Sequence, residues 1–343
     1  MKKALIVLLI LGVASGLFAQ DITWSGSVGT GIWFNFGDDH EEANVTADDD
    51  DDGNPIVATL GAKYAAEDWG IVTKVKGRFN DTAGDVFFSN AYGYMDFLGG
   101  MLNVKGGYIQ DGVWSNAGPW IDDNGLSNGG GARIEVKPID GLNIGALLTF
   151  PNGGAEAGTI ANFFQQTAFG FGFDGGVFNV AATMRLYSEE DAYAGELDAA
   201  LAANFGFSGI EIVTIDIGAW IDHLIGEANT YIKLTETFGF NVMDGLGLTL
   251  HLIQEFEDGL KVFQISPRVE FAVSDALSIG LGVDAAMRDA GDGLGLADIG
   301  VDLWGKYAIG GSSIKAGYGF DMLTADYGDS LNHYIKVIFG YSF

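Results

Sequence analysis

Apolar and aromatic residues recur at every second position in short runs along almost the whole chain. A period of two marks a β-strand with one apolar face and one mixed face. In the first half the runs cover 22–36, 56–66, 69–80, 86–97, 101–109, 130–138, 142–150, 165–173 and 177–186. The second half continues with 196–207, 210–221, 230–242, 246–256, 262–273, 277–286, 297–309, 313–324 and 333–343. The pattern predicts about 18 strands, with 16 as the alternative even count. Short turns such as Leu98-Gly99-Gly100, Asp140-Gly141, Ser208-Gly209 and Gly310-Gly311 alternate with longer connections, the longest at 37–55 and 110–128. The alternation slips near 88–90 and at Val213-Thr214, as bulges would make it do. Glu236 falls on the apolar register of its run, with nothing in the sequence to explain it.

The runs are about as long as a tilted strand needs to cross a bilayer, roughly 9–11 residues. Their apolar face continues on nearly every strand, where packed soluble sheets would also need solvent-facing polar residues. The expected fold is therefore all-β: a transmembrane antiparallel up-and-down barrel, in which every backbone polar group is paired and no edge meets lipid. An even number of strands puts both chain ends on the short-turn, periplasmic side. Aromatics gather near strand ends, at Phe34 and Phe36, Phe79, Phe150, Phe171 and Phe173, Phe205 and Phe207, and Tyr341 and Phe343. They form the two expected interfacial girdles.

The first residues change the picture to an exported protein. Lys2 and Lys3 precede an apolar core at 4–13, and Ala19 closes a small-residue cleavage region, so 1–19 reads as a signal peptide and 20–343 as one barrel domain. With no cysteine, disulfides and thiolate metal sites are excluded. Losing Lys2 and Lys3 leaves 15 basic and 46 acidic residues, a formal charge of −31, which argues against nucleic acid as a partner. A hydrophobic fraction of 48% excludes a disordered acidic chain.

The final run reads HYIKVIFGYSF, with Ile335, Val337, Phe339, Tyr341 and Phe343 on one face. It resembles the C-terminal strand of bacterial outer-membrane β-barrels, which ends on Phe with aromatics at alternate positions before it. The resemblance implies that Phe339, Tyr341 and Phe343 are read by the barrel-assembly machinery and that this strand closes against the first. Over the whole mature chain the architecture resembles the general porin group.

With the apolar face outward, the charged residues fall inward. Lys63, Lys74, Lys76, Arg78, Lys105, Arg133 and Lys137 crowd the second to sixth strands, and Lys315 and Lys336 extend this basic wall across the closure. Asp198, Asp216, Asp284, Asp298, Asp302 and Asp321 form an acidic wall on the later strands. A barrel of 16–18 strands holds a water-filled channel, which such charges require. Opposed walls would orient dipolar solutes. Inward glycines, including Gly145, Gly170, Gly280, Gly282, Gly317 and Gly319, leave space or ease strand coiling.

The loop 110–128 carries Trp114, Trp120, Asp122 and Asp123. It is the third external connection, which in general porins folds inward as a constriction; an external loop fits the sequence equally. In the first loop, Asp48-x-Asp50-x-Asp52-Gly53 begins like an EF-hand, but Thr59 stands where the bidentate Glu belongs, so no metal site is assigned. Asp222-His223 could pair as an acid–base unit, although a rim ion pair is the commoner use of such neighbours. No nucleophile constellation accompanies it, so neither an enzyme nor a cofactor is expected.

The chain is expected in the cell outer membrane. Its expected role is a porin for passive diffusion of small hydrophilic solutes and ions, with lipid as its surroundings and a homo-oligomer compatible. The alternative is a surface-exposed adhesin or structural barrel with little conductance.

Overall fold

Among the described residues, nineteen strands form one antiparallel sheet that closes on itself. They are β1 (Ile22–Gly37), β2 (Glu41–Thr46), β3 (Ile56–Ala65), β4 (Trp69–Phe79), β5 (Gly84–Phe97), β6 (Leu102–Ile109), β7 (Gly129–Val136), β8 (Leu142–Thr149), β9 (Ala168–Asp174) and β10 (Phe178–Tyr187). They continue as β11 (Asp198–Ile210), β12 (Val213–Asp222), β13 (Tyr231–Met243), β14 (Leu246–Phe256), β15 (Leu260–Ala272), β16 (Leu277–Asp289), β17 (Leu294–Ile309), β18 (Ser312–Leu323) and β19 (Leu331–Ser342). The structure, a computed structural model, describes residues 22–37, 41–46, 56–79, 84–110, 114, 129–149, 167–187, 198–225, 229–289, 291, 293–324 and 330–343. The expected signal peptide, the acidic run 48–52, Phe150, Trp120, Asp122 and Asp123 lie outside the described residues.

Closure is made by β1 and β19, which pair from Ser27 with Ser342 to Gly37 with Asn332. On its other edge β1 meets two strands in succession. Ile22 to Thr30 pair with β3, and Gly31 to Phe36 pair with β2. These two share one position, so the barrel is eighteen strands around. The sequence pattern predicts one loop over 37–55, and β2 corrects that. At 16 residues β1 outruns the 10 of β3, and its projecting backbone needs a partner. The backbone of β2, EEANVT, supplies one without any apolar alternation to reveal it.

A second difference lies between β11 and β12. Ser208-Gly209 is not the turn. Phe207 pairs with Ile215 and Ile210 with Val213, so the extra residues form a bulge and the chain reverses at Glu211-Ile212. The slip near 88–90 is also a bulge. Lys74 pairs with Asn90 and Val75 with Phe88, which leaves Ser89 over and turns Phe87 and Asp85 to the inner face. The turn after β5 is built from three left-handed residues in a row, Leu98, Gly99 and Gly100 (φ 55°, 68° and 86°), the conformation that glycine takes without strain.

The barrel is inside out relative to a soluble protein. Ile71, Leu303 and Phe339 are 50%, 58% and 45% exposed, while the inward Arg133 and Glu135 are 0% and 1% exposed. A continuous apolar belt of this extent belongs in hydrocarbon. At the seam the Phe343 ring lies over Gly26, where a Cβ would stand 2.4 Å from it. The two residues also exchange backbone hydrogen bonds of 3.0 and 3.1 Å. Glu236 does face outward, opposite Ile217 and Leu252, and accepts a 3.3 Å hydrogen bond from Gln254 Nε2 on the same face.

Candidate functional site: the charged lumen

The inner face of β3 and β4 carries Lys63, Lys74, Lys76 and Arg78. Lys74 stands opposite Gly61 and Lys76 opposite Thr59, so small neighbours leave the amines room. On the next strand the bulge sets Asp85 opposite Arg78 and Phe87 opposite Lys76. The Arg78 guanidinium carbon is 5.5 Å from the Phe87 ring centre. That contact helps to hold the long side chain in place. The sequence pattern misses Phe87 and Asp85 as inward residues, because a single bulge reverses the alternation before it.

Across the seam, Lys336 lies 5.6 Å from the Trp33 ring centre and Lys315 lies 5.5 Å from that of Trp304. The β1–β19 pairing therefore joins β18 and β19 to the lysine-bearing β3 and β4. Lys137 follows β7 at the short-turn end and is exposed.

On β6 to β8 the charges are packed away. Glu135 Oε1 accepts from Lys105 Nζ at 2.7 Å and lies 2.7 Å from Arg133 Nε, off the line of its N–H. The other oxygen, Oε2, accepts from Asn143 Nδ2 at 3.0 Å. Trp114, only 2% exposed, covers this network from the loop 110–128. Its ring centre is 5.2 Å from the Arg133 guanidinium carbon, and its indole N–H donates to Asn143 Oδ1 at 3.4 Å. Gly145 and Gly170 make the seat: a Cβ there would lie 2.8 and 2.1 Å from the indole. The loop thus turns into the barrel at Trp114, the described member of the four loop residues.

Several inward glycines therefore hold side chains and do not widen the lumen. Gly280 lies under Trp304 and Gly319 under Tyr334, as Gly145 and Gly170 lie under Trp114. Sequence alone does not separate a glycine that opens space from one that an aromatic fills.

The acids fall on β11 to β18, with unequal freedom. Asp198 is 3% exposed and committed. Its Oδ2 is 2.8 Å from His223 Nδ1, and its Oδ1 accepts from the backbone N–H of Ala199 and Ile225. Asp222 Oδ1 accepts the backbone N–H of His223 at 3.0 Å, and the left-handed His223 (φ 54°) aims its ring at Asp198. Asp298 Oδ2 is 3.3 Å from Arg288 Nη2. Asp284 and Asp321 flank Gly300 on β17, and Asp216 faces inward from β12. Asp302 accepts the Tyr334 hydroxyl and lies within electrostatic reach of Arg268, Lys315 and Lys336. Acidic and basic residues thus interleave on β17 to β19, as they do around Glu135 and in the Lys233–Glu255 pair.

No protein-family model matches the chain, and no curated protein matches it. Solved structures do. OprB of Pseudomonas putida shares 11% identity over 97% of this chain and 96% of that one, with a TM-score of 0.58. OccAB4 of Acinetobacter baumannii shares 8% over 94% and 98%, with a TM-score of 0.59. The outer membrane channel DcaP of Acinetobacter baumannii shares 14% over 94% and 97%, with a TM-score of 0.56. This is the fold of the outer-membrane channel barrels. Likeness at these identities carries the fold alone, so the chemistry of the lumen rests on this chain's own residues.

Proposed function

We propose that this protein is a channel of the bacterial outer membrane through which small hydrophilic solutes and ions diffuse passively. One observation carries the reading: a closed eighteen-position barrel turns its apolar residues outward and its ionisable residues inward. A barrel of this girth has room for water, and unsatisfied charge in the lumen demands it. Lys63, Lys74, Lys76 and Arg78 offer successive positive contacts to the negative end of a solute, while Asp216, Asp284 and Asp321 attract its positive end. Passage needs no chemical step. Sorting comes from pore width and from weak contacts that release as readily as they bind. Trp114 is held inside the barrel at the start of the connection 110–128, against Gly145 and Gly170. Residues 1–19 direct export, and Phe339, Tyr341 and Phe343 present the outward aromatic face that the assembly machinery reads.

The test is single-channel recording of the purified, refolded mature protein in planar bilayers at high salt. Discrete conductance steps are expected. A well-folded protein that leaves the bilayer silent would refute the channel and favour a surface-interaction barrel.

A further inference from the structure

We propose a binding subsite for a small uncharged polyol, such as a monosaccharide, on the inner face of β8 to β11. Its part in passage rests on the channel reading; its affinity rests on these strands alone.

Small residues open a niche there, and amides border it. Asn143 stands opposite Gly172, Gly172 opposite Ala181, and Ala181 opposite Asn204, so two amides are held apart by two residues without long side chains. Nearer the short turns, Asn179 stands opposite Gly206. Asn179 and Asn204 alternate with the outward Phe178 and Phe205, so both belong to the lumen face. A Cβ at Gly206 would lie 2.6 Å from Asn179 Nδ2, so this glycine seats the amide. Asn143, Asn179, Asn204, Gly172, Ala181 and Trp114 border a cavity of about 270 Å³. Pockets for drug-sized ligands run from roughly 300 Å³ upward, so this one suits a smaller solute.

The lining selects the class of solute. A carboxamide presents a carbonyl acceptor and two N–H donors, and a hydroxyl both donates and accepts, so each can use both functions of the other. Asn143 is fixed: its Nδ2 donates to Glu135 Oε2 at 3.0 Å, and its Oδ1 accepts from Trp114 at 3.4 Å. Asn204 Nδ2 donates to Asn179 Oδ1 at 3.4 Å, which sets the other two amides side by side. Among the described residues, Asn179 Nδ2 and Asn204 Oδ1 have no hydrogen-bond partner, which leaves a neighbouring donor and acceptor. Among the described residues that border the cavity there is no lysine or arginine. Its one carboxylate, Asp174, is engaged at the turn, where Oδ1 accepts the Gly176 N–H at 2.8 Å. A charged solute would give up hydration here for little compensation, whereas hydroxyls exchange water for amides. The cavity reaches from Trp114 to the short turns at Gly141 and Asp174, the periplasmic end. A solute entering the cell meets it late in its passage.

The test reads binding, not conduction. The mature protein, in a detergent without a sugar headgroup, is titrated with glucose, succinate and ethanolamine, each followed by proton saturation transfer. Glucose binding should be saturable and should be lost in A181L, which fills the cavity and removes no polar group. N179A and N204A should each weaken it about threefold to tenfold. G206A should weaken it while keeping every amide. K261Q, on β15 and ion-paired to Asp289 at 3.1 Å, should leave it unchanged. No saturable glucose binding, full binding in A181L, full binding in both N179A and N204A, or equal weakening by K261Q would overturn the subsite. If A181L abolishes binding of succinate or ethanolamine and spares glucose, the cavity takes an ion and the polyol assignment falls. If glucose binds through these amides while bilayers stay silent, the subsite stands and the channel reading falls. Conductance without A181L-sensitive glucose binding keeps the channel and removes the subsite.

Discussion

Replacing Glu135 by Gln tests whether this lumen has a dry compartment within a wet one. The carboxylate is 1% exposed and touches two cations at 2.7 Å. At an effective dielectric of about 20, each unit-charge pair at that distance is worth about 6 kcal/mol before desolvation. The carboxamide keeps an acceptor oxygen but loses the charge, so buried Lys105 and Arg133 lose the carboxylate that both touch. Broken buried pairs of this sort lose about 3–5 kcal/mol. The assay is urea unfolding of the protein folded into lipid vesicles, followed by tryptophan fluorescence. With a slope of about 2 kcal/mol per molar, the midpoint should fall by about 1.5–2.5 M. A loss below about 1 kcal/mol is what a solvated surface pair gives. That result would mean that water reaches both cations and that Trp114 does not seal the network.

Trp114→Ala removes the anchor of the loop 110–128, a packing loss of about 3–5 kcal/mol; conductance and open-channel noise should rise, and unchanged current traces would refute the anchor. Glu236→Leu removes a carboxylate from the lipid face and should raise the urea midpoint by the equivalent of about 1–2 kcal/mol; a fall would show that its hydrogen bond with Gln254 outweighs the cost of a charge facing lipid. Neutralising Lys74, Lys76 and Arg78 together with Gln should move the reversal potential in a salt gradient toward cations, and no movement would remove these residues from the ion path. Deleting Phe343 takes away the ring over Gly26 and two seam hydrogen bonds; assembled, heat-modifiable barrel should drop in cells, and full assembly would sink the role of the terminal aromatic.

The membrane barrel was legible in the sequence because lipid outside and water inside impose a strict period of two on every strand, and composition then excludes the soluble alternatives. That periodicity placed Lys74, Lys76, Arg78, Asp284 and Asp302 on the inner face without any structure, and it marked Glu236 as the outward exception. Alternation is local, however, and it is blind to what stands across the barrel wall. One extra residue, Ser89, reversed the faces of Asp85 and Phe87. The projecting end of β1 drew an acidic segment into a strand that no apolar pattern announces. Most of all, the state of each charge depended on neighbours distant in sequence: Glu135 closes on Lys105 from 30 residues away, and Asp198 meets His223 from 25. The closing pairs, Gly26 with Phe343 and Ser27 with Ser342, fix which lysines share a wall. The sequence by itself determined which way each strand faces, because the two solvents read one residue at a time. Only the tertiary structure decided which charges are packed against each other, because the energy of a charge depends on what stands within a few ångströms of it.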